Sequence, residues 1–128
     1  MERYDPEVIP VAGEWLDLDE GERLQLVEAY HRDARISLPK GARRIHASMH
    51  VVVENQLAEN DEPVGRALRR LMKEGLTRHD AVHAIGSLVA EQIFDLMKYN
   101  DTPEASRTRY YAAVERLTAA AWRESGDD

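Results

Sequence analysis

Apolar side chains recur along this chain at intervals of three and four, and turn residues divide that rhythm into helical stretches. The cleanest stretch is Val64, Ala67, Leu68, Leu71 and Met72, which fall at i, i+3, i+4, i+7 and i+8 and line one face of a helix. Pro63 suits its first turn and Gly75 the position just past its end. Upstream, Ile45, Met49, Val52, Val53 and Leu57 give the apolar face of a helix that begins after Lys40-Gly41 and runs to about Ala58. The β-prone run Val51-Val52-Val53 lies inside that longer pattern. The first predicted helix starts at Asp19, an N-cap with Glu22 as its capping-box partner. It carries Leu24, Leu26, Val27 and Tyr30 and stops before Pro39. The fourth begins at Thr77, with Asp80 at N3, and presents Val82, Ile85, Val89, Ile93 and Leu96. Asn100-Asp101-Thr102-Pro103 separates it from a last helix, Pro103 to about Arg123, with Tyr110, Val114, Leu117 and Ala121 inward.

Residues 1–18 contain Pro6, Pro10 and Gly13 and read as an irregular segment docked through Val8, Ile9, Val11 and Trp15. Residues 124–128 read as a frayed tail. No stretch alternates with period two for long enough to be a strand. The expectation is therefore all-α: a single-domain bundle of about five helices over residues 1–128. Short loops favour antiparallel neighbours, so the second and fourth helices should run parallel if the second, third and fourth pack mutually.

Composition narrows the function classes. A chain of 128 residues that is 43% hydrophobic has room for one core. It carries 24 acids against 17 bases, a net charge of −7, which argues against nonspecific binding to nucleic acid or anionic lipid. The absence of cysteine removes disulfides, thiolate ligands and thiol nucleophiles. The opening MERYDPEVIP is charged and no apolar run follows, so a cytoplasmic protein without a membrane span is expected.

The chemistry lies in the histidines. Four of the five form two pairs, His46-x-x-x-His50 and His79-x-x-x-His83. Random placement of five histidines yields on the order of 0.15 such pairs. Spacing of four puts both imidazoles of a pair on one helical face. Glu54 extends the first row to His46, His50 and Glu54; taking His46 as the reference, Val53 and Leu57 lie within about 20° of it at roughly 100° per residue, so the rings should be partly buried. In the second row Gly86 and Ala90 are small enough to admit a neighbouring helix. Gly86 costs about 1 kcal/mol of helix propensity relative to alanine, which close packing beside a site would offset.

If the two rows meet, His46, His50, Glu54, His79 and His83 form a metal site inside the bundle. Imidazole and carboxylate without thiolate suit a divalent transition metal: Zn, Fe, Mn or Ni. Asp80, Gln56, Asp61 and Glu91 are candidate outer acceptors, or one of them a further ligand. His31 stands alone near the end of the first helix and reads as solvated or as a partner of the helix dipole. The competing reading is a polar interior network without metal.

The run His46-Ala-Ser-Met-His50-Val-Val-Val-Glu54-Asn55-Gln56, then Asp61-Glu62-Pro63, then His79-Asp80-Ala81-Val82-His83 resembles small bacterial domains of unknown function carrying HxxxH, ENQ, DxP and HDxxH in this order on a helical scaffold. Glu14-Trp15-Leu16 and Glu22-Arg23 belong to the same pattern, so the resemblance covers roughly residues 14–97. The two HxxxH elements are also similar to those of haemerythrin-like bundles, a likeness that implies a metal held between helices. His79-Asp80 resembles the dipeptide of the HD phosphohydrolases, which are all-helical and metal-dependent.

Three functions compete. One is a metal-binding module. Another is a metal-dependent hydrolase of phosphoesters or esters, with Glu54 or Asp80 as base. The third is a helical interaction domain without metal. Arg43, Arg44, Arg69, Arg70 and Arg78 flank the site in sequence and can receive a small anionic molecule, although a solvated face is the blander expectation. A homodimer is compatible with a small bundle of this kind.

Overall fold

The computed structural model describes residues 1–36, 38 and 42–125. Among the described residues the chain forms seven helices and no strand: α1 (Ala12–Asp17), α2 (Glu20–Asp33), α3 (Arg43–Ala58), α4 (Glu62–Lys73), α5 (Arg78–Tyr99), α6 (Pro103–Arg116) and α7 (Ala119–Glu124). The all-α expectation holds, with two more helices than the periodicity suggested. None is long and apolar enough to cross a membrane. The expected turn at Pro39, Lys40 and Gly41, and residues 126–128 of the tail, lie outside the described residues.

The caps read from the sequence, Asp19 and Thr77, are present, and Asp61 and Thr102 add two more. Asp19 accepts from the Glu22 N–H, and Glu22 returns the bond to Asp19 in a complete capping box. Asp61, Thr77 and Thr102 cap α4, α5 and α6. Of the two extra helices, α1 forms within the segment expected to be irregular, and α7 has a local cause. Thr118 accepts from the Ala121 N–H and caps α7, while Leu117 is extended, so the expected last helix breaks there. Side chains of α4 stabilise the break: Arg70 donates to the Val114 and Leu117 carbonyls, and Glu74 accepts from the Ala119 N–H. In consequence Trp122 is buried in place of Ala121.

Near the N-terminus, Trp15 docks as expected, whereas Val8, Ile9 and Val11 are exposed and Tyr4 and Pro6 dock in their place. The Trp15 indole and the Arg23 guanidinium both donate to Asn55 Oδ1, at 2.9 and 3.0 Å, and Arg23 also binds the Trp15 and Leu16 carbonyls. The Glu-Trp-Leu, Glu-Arg and Glu-Asn-Gln elements of the sequence thus share a structural task, clamping α1 and α2 to α3.

Two apolar clusters result. Val53 of α3 joins α4, α5, α6 and α7 in one, while Ala47 and Val51 join Tyr4, Trp15 and Val27 in the other. Ile45 and Ile93, expected inside, are exposed.

The expected parallel run of α3 and α5 is corrected. His46 lies beside His83, His50 beside His79 and Glu54 beside Arg78, so the order along one helix reverses along the other. The expectation rested on the three helices packing mutually, with α4 against both neighbours; its contact with α3 is the smallest of the three. In fact α4 packs on α5 and α6, and α3 lies directly on α5. The two HxxxH rows still meet, with His46 against His83 and His50 against His79.

Gly86 sits at this contact, where an added Cβ would stand 3.3 Å from Met49 Cβ. Gly86→Leu is therefore expected to cost about 1–3 kcal/mol from overpacking despite its better helix propensity. A urea midpoint equal to that of the wild type would show that the helices do not approach so closely.

Candidate metal centre

His31 ends the buried stripe of α2, His46 and His50 occupy the first half of α3, and His79 lies in the first turn of α5. One ring nitrogen from each of these four residues lies within 4.8 Å of the others, so the cluster could hold a metal ion. The His46 and His31 Nε2 atoms are 3.0 Å apart. Four imidazoles around one zinc hold their nitrogens about 3.3 Å apart. That pair already has the spacing of a coordination edge.

His31 was expected at the surface and is 5% exposed. Its Nδ1–H donates to the Val27 carbonyl at 2.8 Å, which leaves Nε2 with its lone pair toward His46. The sequence did carry a signal, since Leu24, Val27 and His31 continue one helical stripe at i, i+3 and i+7.

His50 is 1% exposed. Its Nδ1 lies 3.3 Å from the Tyr4 hydroxyl, which donates at 2.5 Å to Glu54 Oε2. With the phenolic proton committed to Glu54, the remaining assignment has His50 Nδ1–H donating to Tyr4 Oη. His50 Nε2 then carries the lone pair, and it has no hydrogen-bond partner among the described residues.

Glu54 does not stand among the ring nitrogens. It lies behind His50, where Arg78 Nη1 and Nη2 donate to its two oxygens at 2.8 Å each. Arg78, expected on a solvated face, is 3% exposed and also binds the Pro6 carbonyl. Burial works against the Arg78 charge, but the Glu54 hydrogen bonds and charge outweigh it and hold the guanidinium more firmly protonated than usual. Burial, then the neighbouring Glu54, pushes the Tyr4 phenol up, so it remains a donor. The chain Arg78–Glu54–Tyr4–His50 fixes one imidazole from behind.

His83 stands at the margin, its ring 4.5 Å from that of His46 and 6.0 Å from that of His50. It and His46 border an open groove of about 690 Å³ that also meets Met49, Gly86 and Glu91. Asp80, the other candidate base, donates its N–H to Thr77 Oγ1, and its charge pulls the His79 ring up against the larger effect of burial. Gln56 and Asp61 accept from Tyr110 and Tyr111 of α6 rather than from the rings.

Burial dominates the electrostatics of the imidazoles. It drives His46 down to about 3, assisted by the charges that His83, His31 and His79 would carry. It also lowers His50 far below the usual range, and lowers His31 and His79. These rings are therefore held neutral, the form that ligates metal. No family model matches the chain, and neither a curated protein nor a solved structure matches it.

Proposed function

We propose that this protein binds one divalent transition metal ion through His31, His46, His50 and His79, and that the ion is zinc. The observation that carries the reading is the orphaned Nε2 of His50, wholly buried while its sister nitrogen is tied to Tyr4. A buried polar atom without a partner costs about 1–3 kcal/mol, and a cation at the centre of the cluster removes that penalty. The donor set points the same way. Four neutral imidazoles without a thiolate or free carboxylate suit zinc in a closed tetrahedral site, and manganese, which prefers oxygen donors, less well. A closed site supports a binding module over a hydrolase, because hydrolysis needs a coordination position for water. The candidate base Glu54 is also engaged by Arg78 and Tyr4.

The test is elemental analysis of untagged protein followed by zinc titration against a chromophoric chelator. One equivalent per chain is expected for the wild type and none for His31→Ala or His50→Ala. Cobalt in place of zinc should give the intense visible bands of a tetrahedral site. Equal zinc retention by wild type and both variants would sink the assignment.

A further inference from the structure

A separate pocket also borders His31. It has a volume of about 240 Å³, and its lining includes Glu28, His31, Arg32, Arg35 and Arg43. The lining brings three guanidiniums and one carboxylate to a single cavity in a chain whose net charge is −7. The sequence concentrates charge in the same place. Residues 32–44 contain five bases, Arg32, Arg35, Lys40, Arg43 and Arg44, and one acid, Asp33. Arg32 approaches Asp33 at 3.8 Å, whereas the guanidiniums of Arg35 and Arg43 have no ion-pair partner among the described residues.

Arg35 has a further peculiarity. It follows the end of α2 with φ of 57°, in the left-handed region. The other left-handed positions among the described residues are Asn60, Asn100 and Gly75, the types that tolerate this backbone. An arginine there is the costlier choice, and strain of this kind gathers at ligand sites. What arginine adds over asparagine or glycine is a planar cationic fork that matches an oxyanion.

We propose that this pocket binds a small oxyanion, phosphoryl or carboxylate, between Arg35 and Arg43 and against His31. The inference rests on the metal reading for its setting, since His31 is shared, but the anion contacts belong to the arginines. The protein is then a module that holds a metal ion and an anion side by side. The long-range attraction of the basic segment supplies the approach of the anion, and the guanidinium forks supply its orientation.

The experiment is calorimetric titration of zinc-loaded protein with inorganic phosphate, and separately with acetate, with zinc content measured before and after. Phosphate or acetate is expected to bind once per chain, more weakly as ionic strength rises. Arg43→Gln should weaken binding by about tenfold or more. Arg35→Asn should weaken it similarly while raising the melting temperature by a few degrees, because asparagine relieves the left-handed backbone. Both variants should keep their zinc. Stronger binding of phosphate assigns a phosphoryl ligand, and stronger binding of acetate a carboxylate. Equal affinity in wild type and both variants, or no binding at ~10 mM anion by protein that retains zinc, overturns the proposal and leaves the metal centre standing. If the chain holds no zinc, the same titration of the metal-free protein decides the pocket alone: arginine-dependent binding upholds it and failure ends it.

Discussion

Arg78→Ala is expected to destabilise the protein by about 3–5 kcal/mol, the cost of leaving a buried charge without its partner. Arg78 and Glu54 are 3% and 1% exposed and meet through two hydrogen bonds of 2.8 Å. Without the guanidinium, Glu54 keeps only the Tyr4 hydroxyl, and the Pro6 carbonyl loses the same donor. At roughly 4 °C per kcal/mol for a chain of this size, the melting temperature should fall by about 12–20 °C. The double variant Arg78→Met/Glu54→Leu should recover most of this loss, because apolar replacements of buried ion pairs are often neutral or stabilising. It should not recover metal binding. With no carboxylate to accept its proton, Tyr4 no longer orients His50, and zinc affinity should fall about 10–100-fold, as when an outer partner of a ligand is lost. Urea unfolding and chelator competition on both variants separate the two roles. A single variant that loses less than about 1 kcal/mol would show that the pair is not sealed from water.

The same residues show how much of the molecule was legible in the sequence. Capping and helical period are local properties, so Asp19 and Thr77 could be read as helix starts with no tertiary information. His46 and His50 could be read as sharing one face, and His79 and His83 another, because spacing of four fixes a face, but their convergence was expected from a parallel pair of helices that does not form. The direction of α5 against α3 could not be read, because it depends on where α4 packs, and α4 has the same amphipathic stripe whichever neighbour it covers. Glu54 had the spacing of a ligand and became a support, since spacing fixes the face but not the depth at which a side chain finds a partner. Tyr4 offered no signal at all. It lies outside every periodic segment and reaches the site from 46 residues away along the chain. His31 was legible in principle, as an extension of the Leu24–Val27 stripe, but a lone histidine in a last turn has an adequate explanation in the helix dipole.

The second large effect couples metal, protons and folding. Without metal, the folded chain holds its imidazoles neutral, with His46 down to about 3 and His50 far below its ordinary value, in both cases chiefly through burial. In the unfolded chain the same rings titrate near ~6.5. Below that pH the unfolded state therefore binds more protons than the folded state, so stability falls as pH falls. The stability held by these rings is present in full above ~6.5 and drains away toward the depressed folded values. Each ring contributes a slope of at most about 1.4 kcal/mol per pH unit, and the half-exposed His46 and His79 contribute less than that limit. Between pH 6.5 and pH 5 the melting temperature of metal-free protein should drop on the order of 10 °C. Zinc acts on the same lone pairs from the other side. At about 100–1000 times its dissociation constant it should add about 2.7–4.1 kcal/mol at neutral pH, or roughly 10–16 °C. Protons compete for those nitrogens, so the zinc increment should shrink steadily toward pH 5. Thermal scans with zinc and with chelator at pH 7.5 and pH 5 measure all of these terms, and His50→Ala should reduce both the zinc increment and the slope of the metal-free protein. A melting temperature indifferent to zinc at neutral pH, or one that rises on acidification, would show that these imidazoles do not face one another across a shared cation.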